Sequence, residues 1–338
     1  MHPYKSKPDK SFWSKSVSKK HFYELDNLWI PIMFDNQTKI ATGGSCFAQH
    51  IGRALIERGA NFMDLETKPE FIKTSEMTKW GYGLYSCRYG NIYTARQLLQ
   101  LFYEAFDKRK PADYIWEKEG NFFDALRPSI EPIGHSSKSE IKELRSAHLG
   151  RVKKMFEDLD IFVFTLGLTE SWVNKQDETV YPTAPGVICG EFDKEKYYYK
   201  NFSYTEVYSD LKIFINELQK INKGARIILT VSPVPLAATA SKDHVLVASS
   251  YSKSVLRSVA GDLSTRFDSV IYFPSYEIVS SHVGKGFFYE KDLRSVNQKG
   301  VEYVMSHFFS NSNIPKEEFE GNGKFELICD ENKHDQTK

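Results

Sequence analysis

Residues 39–48 read Lys39-Ile40-Ala41-Thr42-Gly43-Gly44-Ser45-Cys46-Phe47-Ala48. A short apolar run ends here in two glycines, a serine and a cysteine, and apolar residues at helical spacing (Ile51, Ala54, Leu55) follow at once. This layout predicts a strand, a tight turn and a helix, with the Ser45 hydroxyl at the carboxyl end of the strand. The first N–H groups of such a helix point at whatever is bound to that hydroxyl. The stretch therefore predicts a nucleophile, provided that the chain also supplies a base, an acid and oxyanion donors.

The composition is typical of a soluble globular protein. The chain has 338 residues, of which 41% are hydrophobic and 26% charged, with a formal net charge of +1. This balance argues against nucleic-acid binding through bulk charge. The N-terminus is polar and no apolar run approaches about 18 residues, so we expect neither a signal peptide nor a membrane span. The cysteines are far apart (Cys46, Cys87, Cys189, Cys329), which predicts reduced thiols and a cytoplasmic location.

Most predicted strands are followed by a helical pattern. Apolar runs predict strands at 39–42, 160–166, 225–231 and 270–274, and a shorter strand at 61–65. Helices are predicted at 48–58, 94–106, 139–158, 205–221, 249–264 and 297–309. The alternation predicts a three-layer α/β/α sandwich around a parallel sheet of about five strands. Ligands bind beyond the carboxyl ends of such strands, and Ser45, Gly167, Ser232 and Ser275 all lie just past one.

We divide the chain into three parts. Residues 1–34 are predicted to form an irregular arm that packs on the body, and residues 35–311 a single domain. Within that domain the polar and aromatic segment 173–203 predicts an inserted loop or small β-subdomain over the sheet edge. Residues 312–338 form a polar tail that we expect to be peripheral.

Several stretches resemble one known family. Residues 44–48 spell the Gly-Ser-Cys-Phe-Ala signature of the GSCFA family, and 88–98, 164–172, 230–236, 251–256 and 272–278 also resemble its sequences. The resemblance covers roughly residues 35–310. The family is similar to the SGNH (GDSL-like) hydrolases, an α/β/α fold of esterases and carbohydrate acyl-transfer enzymes. Its members tend to be bacterial and are linked to surface-polysaccharide production.

The resemblance implies a nucleophile and its oxyanion donors. Ser45 matches the family's nucleophilic serine, between Gly44 and Cys46, and Gly90 matches a glycine whose N–H lines the oxyanion hole. The neighbouring Asn91 offers an amide donor. Each of these residues also has a purely structural interpretation, as a turn glycine, a helix cap or a packing residue.

The third block departs from the SGNH pattern. Gly167-Leu168-Thr169-Glu170 stands where SGNH enzymes have Gly-x-Asn-Asp, so Thr169 offers a hydroxyl in place of an amide. Glu170 is a candidate for binding substrate, or for a salt bridge to an arginine.

The segment that would supply the catalytic acid and base departs further from the SGNH pattern. SGNH enzymes carry Asp-x-x-His near the C-terminus, and the same register here holds Asp292 and Ser295. Asp292 is the candidate acid, but a serine cannot act as a general base near neutral pH. The best substitute is His244, in the loop after strand 225–231, whose structural alternative is an exposed loop histidine.

Other reactive groups have simpler interpretations. Cys46 could be a thiol nucleophile at a helix start, but a buried packing residue is the simpler interpretation. Lys253, Arg96, Arg127 and Arg257 could hold a carboxylate or phosphate of an acyl donor, with surface salt bridges as the default. No set of His, Cys, Asp or Glu has metal-ligand spacing, so we expect no metal. We expect no cofactor either, except an acyl donor such as acyl-CoA if the protein is a transferase.

These residues support two functional hypotheses of different classes, an enzyme and a non-catalytic binding module. The first is a serine-dependent acyl-ester hydrolase or O-acyltransferase that acts on a carbohydrate through an acyl-Ser45 intermediate, in bacterial surface-polysaccharide production. Its partner would be a carbohydrate or a small acyl ester, with no nucleic acid and with the oligomeric state left open. The second is a non-catalytic SGNH-like module that binds or assembles glycans, which Ser295 and Thr169 favour.

Overall fold

The computed structural model describes residues 2–314 and 327–335. In chain order the strands are β1 (Ile40–Gly44), β2 (Ile115–Lys118), β3 (Asn121–Asp124), β4 (Ile161–Leu166), β5 (Glu170–Asn174), β6 (Val180–Tyr181), β7 (Tyr197–Asn201), β8 (Arg226–Val231) and β9 (Val270–Phe273). The helices are α1 (Trp13–Ser16), α2 (Phe47–Glu57), α3 (Ala95–Ala105), α4 (Lys138–Asp158), α5 (Tyr204–Ile221), α6 (Val245–Arg266), α7 (Ser275–Ser280), α8 (Gln298–Phe308) and α9 (Asn332–Asp335). Short 3₁₀ helices occupy Asp9–Ser11, Phe22–Glu24, Thr74–Trp80 and His282–Gly284.

The centre of the fold is a parallel sheet in the order β1-β4-β8-β9. Its register places Thr42 beside Val163, Val163 beside Ile228, and Ile228 beside Ile271. The carboxyl ends of all its strands therefore meet at one edge, where Ser45 follows β1 and Gly167 follows β4. The predicted α/β fold with a parallel sheet is confirmed.

This sheet has four strands, where the sequence predicted about five. The expected strand at 61–65 is reduced to a single bridge between Ile40 and Phe62. The free edge of β1 is occupied instead by a loop, because the Thr42 N–H donates to Ser86 Oγ at 3.0 Å and the Tyr89 hydroxyl donates to the Thr42 carbonyl. With its edge groups satisfied in this way, β1 has no place for a longer partner strand.

Two hydrophobic cores cover the two faces of the sheet. Side chains alternate along each strand, so Phe162 and Phe164 face a core with α3, α4, α5 and α6, while Ile161 and Val163 face another with α2, α7 and α8. This is the three-layer arrangement expected from β-strands that are apolar on both faces.

Two small antiparallel sheets lie outside the central one. The β2–β3 hairpin pairs Trp116 with Phe123, and β5 pairs with both β6 and β7. The second sheet begins at Glu170, four residues after Leu166 at the end of β4, and its strands lie largely within the segment 173–203. Its position directly after Gly167 brings its side chains near the carboxyl end of the central sheet.

The division into arm, domain and tail stays a prediction. In the predicted arm, Trp29 is buried with its indole against the rings of Phe273 and Phe308. Of the predicted tail, residues 315–326 and 336–338 lie outside the described residues. Within residues 327–335, Ile328 contacts α2 and Asp330 contacts the loop that follows Ser86.

The end of β1 requires glycine, and this gives a test of the fold. Gly44 has a φ of +133°, and a Cβ there would lie 2.3 Å from the Thr165 carbonyl oxygen. We expect Gly44→Ala to lower the free energy of unfolding by roughly 3 kcal/mol or more, measured by urea denaturation. Gly59→Ala is the matched control, since Gly59 has a φ of +67° but nothing within 4 Å of its added Cβ. Equal losses in the two variants would contradict the steric argument.

Candidate active site

Ser45 lies in the turn between β1 and α2. Its N–H donates to the Thr165 carbonyl at 3.0 Å, and the carbonyl of the preceding Gly44 accepts from the Ile92 N–H at 2.8 Å. The residue is only 2% exposed, and its Oγ has no hydrogen-bond partner among residues 2–314 and 327–335. A buried hydroxyl without a partner costs about 1–3 kcal/mol. Such a group calls for a functional explanation.

The start of α2 supplies donors beside this hydroxyl. Ala48 and Gln49 donate to the carbonyls of Ser45 and Cys46, so the helix begins immediately after the nucleophile candidate. The N–H groups of Cys46 and Phe47 lie at the start of the helix, where backbone N–H groups have no acceptor within the helix itself. They and the helix dipole favour negative charge at the position above Ser45.

The loop that carries Gly90 and Asn91 packs against this turn. Gly90 has a φ of +67°, and a Cβ added to it would lie nearest to the side chains of Ile130 and Arg127. The Asn91 side chain is buried and already engaged: Oδ1 accepts from the Tyr85 hydroxyl, and Nδ2 donates to the Ile328 carbonyl at 3.0 Å. The structure thus brings Asn91 next to α2 but leaves its amide no hydrogen free for an oxyanion, since Nδ2 also donates to Asp330 at 2.9 Å.

Of the third block, only Gly167 lies against Ser45. A Cβ built on Gly167 would lie 2.9 Å from the Ser45 Cβ, and the Gly167 N–H donates to the Tyr93 carbonyl at 3.1 Å. The Thr169 hydroxyl donates to Asn201 Oδ1 at 2.7 Å, so it is committed to β7. Glu170 accepts a hydrogen bond from Thr239 Oγ1 at 2.7 Å and lies in the wall of a neighbouring cavity.

The predicted acid and base are not brought to Ser45. His244 is exposed and caps α6, where its Nδ1 accepts from the Leu246 N–H at 3.2 Å. Asp292 is also exposed, and its Oδ2 accepts from the Ser295 hydroxyl at 2.6 Å. Since Ser45 Oγ has no partner within the described residues, neither side chain is hydrogen bonded to it. The Asp292–Ser295 pair closes its own turn instead of orienting an imidazole.

Lys253 is the basic group that the structure links to Ser45 through Gly167. It is 3% exposed on α6, and its Nζ donates to the carbonyl of Gly167, which packs against the Ser45 side chain, at 2.6 Å. Its Nζ is not hydrogen bonded to Ser45 Oγ, which has no partner among the described residues. Burial lowers the pKa of Lys253 to about 8, with Glu331 and Cys46 acting in the opposite direction and Arg294 lowering it further. A buried amine with a pKa near neutrality can act as a general base.

Lys253 was misjudged as a surface cation. The sequence does contain a signal, because Lys253 shares a helix face with Ser249, Leu256 and Ala260, all of which are buried. Arg96 and Arg257 do form salt bridges, to Asp210 at 2.8 Å and to Glu277. Arg127 is buried and pairs with Asp124 at 2.8 Å, so it too is not a surface residue.

A charged and thiol-bearing cluster adjoins Lys253. Arg294 Nη2 donates to Glu331 Oε2 at 3.2 Å and lies 4.0 Å from Cys329 Sγ. The thiols of Cys46 and Cys329 share a hydrogen bond, which raises the pKa of Cys46 and lowers that of Cys329. Burial raises the pKa of Glu331, while Arg294 and Lys253 oppose that shift. Sequence patterns give no signal for Cys329 or Glu331, because they reach the site from more than 200 residues away.

A cavity of about 180 Å³ opens beside this cluster. Its lining combines aromatic rings (Trp172, Tyr181, Tyr199), small aliphatic side chains and polar groups, the last including Glu170, Thr183 and Thr239 together with Glu331 and His334 from the C-terminal segment. Glu331 lines this cavity and also acts electrostatically on Lys253 and Cys46, so the cavity adjoins the cluster. Aromatic faces next to hydroxyls and carboxylates form the kind of surface that accommodates a sugar ring.

A buried network holds the Gly90 loop in place. Glu66 Oε2 accepts from the Arg88 N–H at 2.5 Å and lies 2.6 Å from His148 Nδ1, while Arg127 Nη1 donates to the Arg88 carbonyl at 3.1 Å. Burial, with help from Arg127 and Arg145, lowers the pKa of His148 to about 4 against the opposing charge of Glu66. The network therefore favours a neutral imidazole at neutral pH.

The low pKa values of the buried histidines predict that the folded protein loses stability in acid. The pKa of His148 is about 4 in the folded chain and 6.5 ordinarily, and burial, reinforced by Arg53, gives His50 a similar shift. Since the folded state binds fewer protons, stability is full above pH 6.5 and falls toward pH 4, by on the order of 3 kcal/mol per histidine. Urea unfolding across this pH range measures the slope. His148→Gln should flatten it, whereas the exposed His2→Gln should not; identical slopes would refute the assignment.

A family model matches residues 39–308 of the sequence, under the description GSCFA family. The chain belongs to the GSCFA family. Among solved structures, one of a candidate GDSL-like lipase from Parabacteroides merdae is similar with 13% identity and a TM-score of 0.36, over 85% of this chain and 100% of that one. No curated protein matches the chain.

Within residues 2–314 and 327–335, no helix has the length and apolar character needed to cross a membrane. The same part of the chain contains no cluster of three or more His, Cys, Asp or Glu side chains suited to a metal ion.

Proposed function

We propose that this GSCFA protein is a serine-dependent acyl-ester hydrolase or O-acyltransferase that acts on a carbohydrate through an acyl-Ser45 intermediate. The observation that carries the proposal is the buried Ser45 hydroxyl at the β1–α2 turn, which has no hydrogen-bond partner among the described residues and packs against Gly167, whose carbonyl accepts from a buried lysine with a lowered pKa. Membership of the family supports the hydrolase-like scaffold.

The first half of the reaction acylates Ser45. The neutral Lys253 amine accepts the Ser45 Oγ proton as Oγ bonds to the acyl carbonyl carbon, and the N–H groups of Cys46 and Phe47 hold the resulting oxyanion. When the tetrahedral intermediate collapses, the bond to the leaving oxygen breaks and the Lys253 ammonium returns the proton to it. The second half repeats these steps with water in a hydrolase, or with a sugar hydroxyl in a transferase.

The cavity beside Glu331 supports a carbohydrate as substrate. Trp172 and Tyr199 offer aromatic faces, and Glu170 and Thr239 offer hydrogen-bonding groups for sugar hydroxyls. The four cysteines are free thiols, which is consistent with the reducing environment of a cytoplasmic enzyme. We place the protein in surface-polysaccharide production on the family resemblance alone.

The experiment is covalent labelling of the folded protein with a fluorophosphonate, followed by peptide mapping. We expect the adduct on Ser45 and on no other serine, because only an activated hydroxyl reacts. The measurement is made on wild type and on Asp330→Ala/Asn332→Ala, which lacks the side-chain hydrogen bonds of Asp330 to Asn91 and of Asn332 to Arg294. Absence of an adduct on Ser45 in both proteins would refute the proposal.

A non-catalytic glycan-binding module is the second candidate. The observation that favours it is the closed Asp292–Ser295 turn, together with the engaged side chains of Asn91 and Thr169. It requires the aromatic cavity but not the Ser45 hydroxyl. Retention of glycan binding and of function in cells by Ser45→Ala, with loss in Trp172→Ala, would select it over the enzyme.

A further inference from the structure

The C-terminal strap, defined here as residues 328–334, binds to the candidate site along its whole length. The Ile328 backbone forms a two-way contact with Gln49 on α2: its N–H donates to Gln49 Oε1 at 3.1 Å, and its carbonyl accepts from Gln49 Nε2 at 2.7 Å. The same carbonyl accepts from Asn91 Nδ2 at 3.0 Å. The strap thus connects α2 with the loop that carries Asn91.

The strap's polar side chains continue these contacts. Asp330 is 1% exposed, and its Oδ2 accepts from Asn91 Nδ2 at 2.9 Å. Asn332 Oδ1 accepts from Arg294 Nη1 at 2.5 Å, and Glu331 pairs with the same guanidinium. The strap is therefore anchored on two sides of the carboxyl edge of the sheet, at Asn91 and at Arg294.

These contacts surround Ser45. Cys329 lies on Cys46, the next residue after Ser45, and the Glu331 N–H donates to the Tyr93 hydroxyl at 3.4 Å. The Tyr93 carbonyl in turn accepts from Gly167, the residue that touches the Ser45 side chain. A reacting acyl carbon must come within about 3–3.5 Å of Oγ. Ser45 is only 2% exposed, and the strap lies on its chain neighbour Cys46 and on Tyr93, which contacts Gly167.

We propose that the strap is an autoinhibitory element that covers Ser45 and must move away before an acyl ester can reach it. Glu331 and His334 also line the aromatic cavity, so removal of the strap would join that cavity to Ser45 in one larger groove. The strap is held by hydrogen bonds and one ion pair to Arg294, contacts that an incoming substrate can replace. This inference rests on the proposed function for its catalytic consequence, but not for the cover itself.

The test weakens the strap without altering the charges near Lys253. Asp330→Ala with Asn332→Ala removes one anchor at Asn91 and one at Arg294, and keeps Glu331. Lys333→Ala, an exposed change on the same segment, is the matched control. Two readouts are measured in the full chain: the rate of Cys46 alkylation by iodoacetamide and the rate of Ser45 modification by a fluorophosphonate. Thermal unfolding checks that all three proteins are folded.

We expect both rates to rise about tenfold or more in the double variant, since one buried and one exposed hydrogen bond are lost, and to stay at the wild-type level in Lys333→Ala. Faster alkylation of Cys46 without any modification of Ser45 would support the cover and refute the proposed function. Unchanged alkylation of Cys46 would refute the cover. Faster alkylation of Cys46 with slower modification of Ser45 would also overturn the proposal, because the strap would then complete the site.

Discussion

Replacing Ser45 with alanine is expected to abolish both fluorophosphonate labelling and ester hydrolysis, with a loss of roughly 10³-fold or more in kcat for release of acetate from acetylated sugars or p-nitrophenyl acetate. The reason is that the proposed acyl intermediate has no other place to form. The same substitution is expected to stabilise the fold or leave it unchanged, because the Oγ is buried without a partner among the described residues. Loss of activity with no loss of stability identifies a functional group rather than a structural one.

Ser275→Ala is the matched control for this prediction. Ser275 follows another strand end, β9, and is equally buried, but its hydroxyl donates to the Val231 carbonyl at 2.9 Å. Its replacement should lower the free energy of unfolding by about 1 kcal/mol and leave hydrolysis per folded molecule unchanged. If Ser45→Ala hydrolysed esters as fast as Ser275→Ala, an acyl-Ser45 intermediate would be excluded.

The sheet was predictable because its signals are local. Runs such as Ile161 to Leu166 are apolar on both faces, which few structures other than a central parallel strand allow. The strand expected at 61–65 failed for a non-local reason, since the Ser86 hydroxyl and Tyr89 occupy the edge of β1 that it would have used. The hydrophobic pattern alone does not show which groups will hydrogen bond to the free edge of a strand.

The candidate site was predictable only in part. The Gly-Ser turn and the approach of Gly167 to it follow from strand ends that meet at one edge of a parallel sheet. His244 was chosen for its place after β8, but α6 begins at Val245, earlier than the predicted 249, and the ring serves as the helix cap. The hydrogen bond between Asp292 and Ser295 is a local contact across three residues, and the sequence could have indicated it.

The strap could not be predicted from sequence pattern. Most of its residues are polar, they show no hydrophobic periodicity, and Ile328 and Glu331 lie 237 and 238 positions from their partners Asn91 and Tyr93. Only the folded chain shows that Arg294, the residue before the position of the missing histidine, holds Glu331 there. The departure at Ser295 therefore does not leave that side of the site empty, because Arg294 and the strap occupy it.

The base is the second point on which the proposal depends. Lys253→Met keeps most of the side-chain volume and removes the amine, so we expect kcat to fall by about 10²–10⁴-fold, as for loss of a general base. Arg257→Met is the control on the same helix, because Arg257 pairs with Glu277 away from Ser45 and should leave turnover within about twofold of wild type. Steady-state ester hydrolysis measures both.

The pH profile distinguishes a base from a merely structural lysine. Only the neutral amine can accept the Ser45 proton, and the pKa of Lys253 is about 8, so wild-type kcat should rise from pH 7 to pH 9 with a midpoint near that value. The residual activity of Lys253→Met should lose this rise. Glu331 raises the pKa of Lys253, so Glu331→Gln should move the midpoint to lower pH, a shift that loss of packing would not produce. A profile that keeps its midpoint in Lys253→Met would assign the base to another group.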